Sequence, residues 1–288
     1  MGFFAKTRTI LVMIKFEHSV FALPFAYLGM VLAAGGIPDG ATIVWVTLVM
    51  IGARSFAMAL NRLLDVNTDR RNKRTASRAL PQGLISIFEV IVFLAASLAV
   101  FFLAVYMLPP LCHRLWPVAL LPMALYSLTK HVTWLCHFVL GLCLALAPAG
   151  AWVATLNTLP PFGIWLLALG IMLWTAGFDI IYSCQDYAFD CSEGLHSVPV
   201  RFGIVPALRL VKILHFLSII LFCAAGAALD LGSVYYLGMA ASALFLWYEN
   251  SIISADNLAR IESSFFTMNG FVSITIFVCA FVSIYFTI

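Results

Sequence analysis

Five of the chain's thirteen acidic residues fall in two short segments, and their spacing suits ligands converging on one point. The first segment is Asn61-Arg-Leu-Leu-Asp65-Val-Asn-Thr-Asp69, with polar residues at i, i+4 and i+8. On a helix each step of four drifts by about 40°, so the three side chains share one face. The second is Asp179-Ile-Ile-Tyr182-Ser-Cys-Gln-Asp186-Tyr-Ala-Phe-Asp190. Its aspartates, at i, i+7 and i+11, lie within about 40° of one another if the helix continues. Each segment follows a long apolar run and so sits at a helix C-terminus. The helix dipole is already negative there, and like charges on one face repel. Something cationic has to offset these carboxylates. Oxygen donors without Cys or His point to a hard ion, Mg²⁺ ahead of Ca²⁺. Mg²⁺ is commonly held by one or two carboxylates plus substrate phosphates, which suits a diphosphate bound between the two clusters. One such cluster reads equally well as an ordinary solvated helix end; two on separate helices do not. Arg70, Arg71, Lys73, Arg74 and Arg78 follow the first cluster and Arg201 the second. Such groups recognise phosphate, and they serve as topology signals as well.

The elements that carry these clusters are membrane spans. The chain of 288 residues is 63% hydrophobic and 10% charged, with a mean hydropathy of +1.04. A soluble domain is about 45–50% apolar and about 25% charged, so a soluble enzyme, a disordered chain and a disulfide scaffold are excluded. A net charge of only +3 argues against a nucleic-acid binder. Nine apolar stretches are legible: 16–35, 42–64, 85–108, 111–128, 132–156, 162–182, 211–229, 234–253 and 265–288. Backbone in lipid must satisfy its own hydrogen bonds, so these are predicted helices, and the alternating pattern of a barrel is absent. The stretch at 111–128 is the weakest, with His113, Arg114 and Pro122 in it. The expectation is an all-α integral membrane protein, about nine transmembrane helices around a central cavity open to the cytoplasmic side. It forms one domain over 1–288, with polar cap loops near 65–84 and 184–210.

Orientation follows from the basic residues. With the N-terminus in the cytoplasm, Lys6, Arg8, Lys15, Arg62, Arg70, Arg71, Lys73, Arg74, Arg78, Lys130, Arg201, Arg209, Lys212 and Arg260 all lie inside, and only Arg114 outside. That is the positive-inside bias, and it predicts both acidic clusters at the cytoplasmic face of a cell (inner) membrane. The remaining basic residue, Arg54, lies within the second apolar stretch. An intramembrane charge is a functional candidate by default; Arg54 is expected to face the cavity and pair with a carboxylate of a bound acceptor. Glu249 reads as interfacial, and Glu17 as a complement to a helix dipole, with no catalytic reading for His18. The seven cysteines are scattered without metal-ligand spacing and read as small apolar residues. There is no removable signal peptide in the N-terminal pattern.

With these motifs in view, the sequence resembles the UbiA superfamily of intramembrane prenyltransferases over essentially its whole length. The first cluster matches that family's NxxxDxxxD motif, and Lys73-Arg-Thr-Ala-Ser-Arg78-Ala-Leu-Pro81-Gln-Gly83 its KRTxxRxLPxG continuation. The second matches DxxYxxxDxxxD. Tyr126-Ser-Leu-Thr-Lys130-His131-Val-Thr-Trp134 is similar to the family's segment before the fifth helix, with His131 in place of the usual arginine. The opening Lys15-Phe-Glu17-His18-Ser-Val-Phe-Ala-Leu-Pro24-Phe25 is similar to the 4-hydroxybenzoate polyprenyltransferase-like branch.

The resemblance implies Mg²⁺-dependent transfer of a polyprenyl group from polyprenyl diphosphate to an aromatic hydroxy acid, in quinone biosynthesis. A lateral opening would admit the isoprenoid tail from the bilayer. Asn61, Asp65 and Asp69 would hold one metal ion and Asp186 and Asp190 another, with Asp179 either a ligand or behind one. Lys130 with Arg74 or Arg78 would neutralise the leaving diphosphate, and Tyr126 and Tyr182 would orient the donor or shield an allylic cation. The two tyrosines read equally as interfacial belt residues. The acceptor is 4-hydroxybenzoate on the ubiquinone route or, as an alternative, a dihydroxynaphthoate on a menaquinone route. A reading from another class is an ion-coupled transporter, which nine spans and acidic residues permit. Carriers, however, place their ionisable groups near the midplane, and these lie at one face.

Overall fold

The computed structural model describes residues 3–15, 22–255, 257–258 and 261–285, without the side chains of 3–5, 7 and 262–266. Glu17, His18 and Arg260 lie outside the described residues. The helices are α1 (Phe3–Met13), α2 (Leu23–Ala34), α3 (Gly40–Leu64), α4 (Val66–Arg71), α5 (Ile87–Tyr106), α6 (Pro110–Thr129), α7 (Cys136–Leu156), α8 (Phe162–Ser183), α9 (Tyr187–Glu193), α10 (Val198–Phe202), α11 (Ile204–Ala228), α12 (Ser233–Ile252) and α13 (Ile261–Tyr285). Apart from an isolated bridge between Ser254 and Asn257, no strand pairing occurs among the described residues.

Six of these elements are long and apolar enough to cross a membrane among the described residues. They are α3, α5, α7, α8 running on through α9, α11, and the Thr267–Tyr285 part of α13. Each of the nine apolar stretches coincides with a long helix, but α2 has only 12 residues, and α6 and α12 fall short of the same apolarity. Their sequences explain why. Pro117 and Pro122 lie inside α6, after His113 and Arg114, and α12 carries Glu249 and Asn250. A second difference is that α11 begins at Ile204, seven residues before its apolar stretch, so the predicted polar loop at 184–210 is largely helical.

Helix α8 is the axis of the bundle. It packs along α7 and α11, while α3 pairs with α5, α2 with α7, and α12 with α13. Most of its apolar side chains are buried, as a central helix requires, although Phe162, Trp165 and Leu169 near its start are exposed. Trp174 is fully buried, edge-on to Phe25 of α2 and Phe178. Small residues let helices approach closely where lipid supplies no hydrophobic drive. A Cβ on Gly52 of α3 would meet Phe101 N at 2.8 Å and Ser97 O at 2.9 Å on α5. Polar contacts add further ties. Glu249, expected at an interface, is instead buried, because Asn269 on α13 donates from Nδ2 to its Oε1 at 3.0 Å. At the start of α5, Ser86 and Glu89 form a reciprocal capping box, and Lys6 of α1 closes on Glu89 at 2.5 Å.

The Gly52 contact sets the distance of α3 from α5. Gly52→Val is expected to lower stability by about 1–3 kcal/mol through overpacking, read as a fall in melting temperature of the detergent-solubilised protein.

Candidate active site

Both acidic segments depart from continuous helix at the residue that matters. Helix α3 ends at Leu64, and Asp65 adopts φ −90° and ψ 1° before α4 begins. The ladder is kept across this joint: Asp65 N–H donates to Asn61 O at 2.9 Å and Asp69 N–H to Asp65 O at 2.7 Å. Asn61, Asp65 and Asp69 therefore stay on one side, as their spacing predicts. The second segment tightens further. Helix α8 ends at Ser183, a single 3₁₀ turn covers Cys184–Asp186, and α9 carries Asp190. Gly194 then ends α9 in the left-handed conformation at φ 66°, which glycine adopts without strain.

The two segments face each other across one cavity of about 330 Å³. Arg54, Asn61, Asp65, Asp69, Arg74, Arg78, Tyr126, Lys130, Asp179, Tyr182, Asp186 and Asp190 line it, whereas Arg70, Arg71, Lys73 and Arg201, also read from the sequence as phosphate-recognising groups, do not. Each carboxylate has a distinct environment. Lys130 donates to Asp65 Oδ2 at 2.6 Å, and Asn61 Nδ2 donates to the same oxygen at 2.9 Å and to Ser127 Oγ at 3.2 Å. Arg78 Nη1 donates to both oxygens of Asp69, at 2.7 and 2.8 Å.

Asp186 is held from the opposite segment. Arg74 forms a two-pronged pair with it, through Nε at 2.9 Å and through Nη2, and Asn72 Nδ2 donates to Oδ1 at 2.9 Å. Arg74 also donates from Nη1 to the Tyr182 hydroxyl at 2.8 Å. Burial on its own would lower the pKa of Arg74, but the hydrogen bonds to Asp186 and the neighbouring Tyr182 raise it well above the ordinary arginine value, so its charge is permanent. Farther out, Arg71 pairs with Glu193 at 2.6 Å. The residues after the first acidic motif thus clamp the second.

Asp179 and Asp190 differ from the other three. Asp179 meets His137 Nδ1 at 2.6 Å. Asp190 forms no ion pair among the described residues. Arg54 lines the cavity deeper in the bundle, with Nη2 at 3.4 Å from the Lys15 carbonyl. Along α3, α6 and α7 the polar cavity gives way to an apolar one of about 210 Å³. Met58, Tyr126 and Leu140 line the first, and Ala53, Met123 and Cys143, about a turn away, line the second.

The sequence reading missed His137, Asn72, Ser127 and Arg62. His137 carried a usable signal, since it is an ionisable residue inside an apolar stretch, the same rule that drew attention to Arg54. Arg62, inside the first motif, is buried and donates from Nε to Met13 O at 3.1 Å. Asn72 and Ser127 carried no such signal, because what marks them is contact with residues 114 and 66 positions away.

No group of three His, Cys, Asp or Glu side chains is close enough to hold a metal ion among the described residues. The chain's own cations draw the carboxylates apart into separate pairs. The donor set nevertheless fits a hard divalent ion. It is built of oxygens, and Asp65 Oδ1 is buried with no hydrogen-bond partner, an arrangement that is costly unless something cationic meets it. Six lysine and arginine side chains against five aspartates line the cavity. The wall is therefore nearly neutral, and an incoming diphosphate would bring several uncompensated negative charges.

Comparison with known proteins places the chain in a family. The model of the UbiA prenyltransferase family matches residues 22–273. A 4-hydroxybenzoate octaprenyltransferase of Aliivibrio fischeri is 31% identical over 253 residues, covering 88% of each chain. One from Vibrio cholerae is 32% identical over 224 residues, covering 78% of each. Among solved structures, the apo form of a UbiA homolog from Aeropyrum pernix superposes with a TM-score of 0.83 at 32% identity, over 92% of this chain and 98% of that one. A UbiA homolog from Archaeoglobus fulgidus, solved with GPP and Mg²⁺, shares the fold at a TM-score of 0.75 and 20% identity, over 96% of this chain and all of that one. This chain belongs to the UbiA prenyltransferase family.

Proposed function

We propose that this protein is an integral membrane aromatic prenyltransferase that moves a polyprenyl group from polyprenyl diphosphate onto 4-hydroxybenzoate, in ubiquinone biosynthesis. The observation that carries the reading is the convergence of two aspartate motifs, on α3–α4 and α8–α9, upon one cavity rich in arginine and lysine. The names of the relatives supply the acceptor. The protein acts as a single domain in the inner membrane, with nine membrane-crossing helices and its N-terminus and cavity mouth on the cytoplasmic side. The excess of basic residues at the motif end supports that orientation. The segments at 65–84 and 184–210 form the cap. A carrier is disfavoured because the acidic groups gather at one end of the bundle.

Mg²⁺ would be held by Asn61, Asp65 and Asp69 on one side and by Asp186 and Asp190 on the other, with Asp179 beside them. When bound, it supplies charge neutralisation for the diphosphate as the carbon–oxygen bond breaks. The chain's own residues do the rest. Lys130, Arg74 and Arg78 hold the leaving diphosphate oxygens once these cations are shared with the substrate. Arg54 pairs with the carboxylate of the acceptor and so orients its ring. Tyr126 and Tyr182 present π-faces to the allylic cation left when diphosphate departs. The ring carbon ortho to the hydroxyl forms the new carbon–carbon bond, and its proton is lost. The apolar cavity beyond Met58 and Leu140 receives prenyl carbons and excludes water that would quench the cation.

Asp65→Ala and Asp186→Ala are each expected to abolish turnover with expression intact; wild-type rates in either would sink the metal assignment. Chelation with EDTA is expected to stop both product formation and diphosphate release, and added Mg²⁺ to restore them. Acceptor choice is read by offering membranes a long-chain polyprenyl diphosphate, Mg²⁺, and equal amounts of 4-hydroxybenzoate and a dihydroxynaphthoate. Mass analysis is expected to find prenylated benzoate. Prenylated naphthoate would reassign the protein to a menaquinone route, and no product together with no diphosphate release would overturn the enzyme reading.

A further inference from the structure

We infer that His137, on α7, is a positioning residue that fixes the Asp179 carboxylate and locks the segment after the second acidic motif onto the same support. The inference deepens the prenyl-transfer reading and rests on it. His137 is buried and uses both ring nitrogens. The backbone N–H of Val198 donates to Nε2 at 3.2 Å. An N–H can only donate, so Nε2 is the unprotonated nitrogen and Nδ1 carries the hydrogen, which it donates to Asp179 Oδ2 at 2.6 Å. One imidazole therefore fixes its own tautomer and spans from the cap backbone to a carboxylate that lines the cavity.

The same turn makes a second, independent tie. His196 N–H donates to the carbonyl of Lys130 at 2.7 Å, and Lys130 is the residue whose ammonium holds Asp65. The stretch from Lys130 to His137 thus reaches the first motif by a side chain, the second motif by a side chain, and the 196–198 backbone twice. Asp179 is not paired with an arginine or lysine, unlike Asp65, Asp69 and Asp186. A neutral N–H restrains one of its oxygens without quenching its charge and leaves the other available to the cavity. Val198 is fully buried, so its amide needs the acceptor that His137 supplies.

The test separates the two bonds. Asparagine presents an N–H near the Nδ1 position, and glutamine an acceptor near the Nε2 position. The full-length protein in nanodiscs would be assayed for prenyl transfer to 4-hydroxybenzoate, with hydrogen exchange followed over residues 194–202. His137→Phe is expected to lower kcat by about 10- to 100-fold, the scale of a lost hydrogen bond to a charged group. The KM for polyprenyl diphosphate should change less, and exchange over 194–202 should quicken. His137→Asn should recover most of kcat while exchange stays fast; His137→Gln should restore slow exchange while kcat stays low. A kcat for His137→Phe within twofold of wild type would overturn the positioning role. So would Asn and Gln variants that both behave like Phe in kcat and exchange, since that pattern means packing alone. If wild type transfers no prenyl group to any acceptor while the exchange pattern follows the variants as expected, the activity reading fails and the tie between His137 and the cap stands.

Discussion

Five carboxylates at one end of an apolar helix bundle are the constraint on which the rest of the structure depends. Carboxylates crowded at the C-terminal ends of two helices are opposed by both dipoles and by one another. Three of them, Asp65, Asp69 and Asp186, are met by cations from elsewhere in the chain. Arg78 returns along the first segment to Asp69, Lys130 comes from the end of α6 to Asp65, and Arg74 crosses from the first segment to Asp186. Two of these contacts join parts of the chain far apart in sequence, so the charge balance of the site also fastens the bundle's end.

That arrangement suits a site that must exchange partners. Arg74 and Lys130 are held by carboxylates, not by backbone, and a bound diphosphate competes with those carboxylates on equal chemical terms. Asp65, with one oxygen satisfied by Lys130 and Asn61 and the other buried without a partner, is the clearest sign that the pairs do not exhaust what the site accommodates. The rigid elements lie behind it: α8 between α7 and α11, and α3 set closely against α5 through Gly52. Side chains with exchangeable partners on a fixed frame are what preorganised stabilisation of developing charge requires.

Much of this was legible in the chain. The apolar stretches foretold where the long helices lie, and the three residues Asn61, Asp65 and Asp69 do share one side, because the hydrogen-bond ladder runs on through Asp65. The shared face of the second motif depends on the helix continuing, and a 3₁₀ turn at Cys184–Asp186 interrupts it. Nothing in that run of residues breaks a helix, and the pull on Asp186 from Arg74 and Asn72 comes from another segment. Glu249 looked interfacial by its position in the chain and is buried because Asn269 faces it. Position along an apolar stretch is silent about which neighbour covers a residue.

The sequence by itself determined the membrane class, the two aspartate motifs and which side each motif presents, because each follows from local composition or from a period along one helix. Only the tertiary structure decided how those residues are paired: which cation meets which aspartate, that Asp179 is met by His137 instead of by an arginine, and that the two caps are clamped together. Apart from Arg78–Asp69, those pairings join residues far apart in the chain, 42 positions for His137–Asp179, 65 for Lys130–Asp65 and 114 for Asn72–Asp186. Charge complementarity names the candidates for such pairs, and the packing of α3, α6, α7 and α8 fixes which of them come within hydrogen-bonding distance.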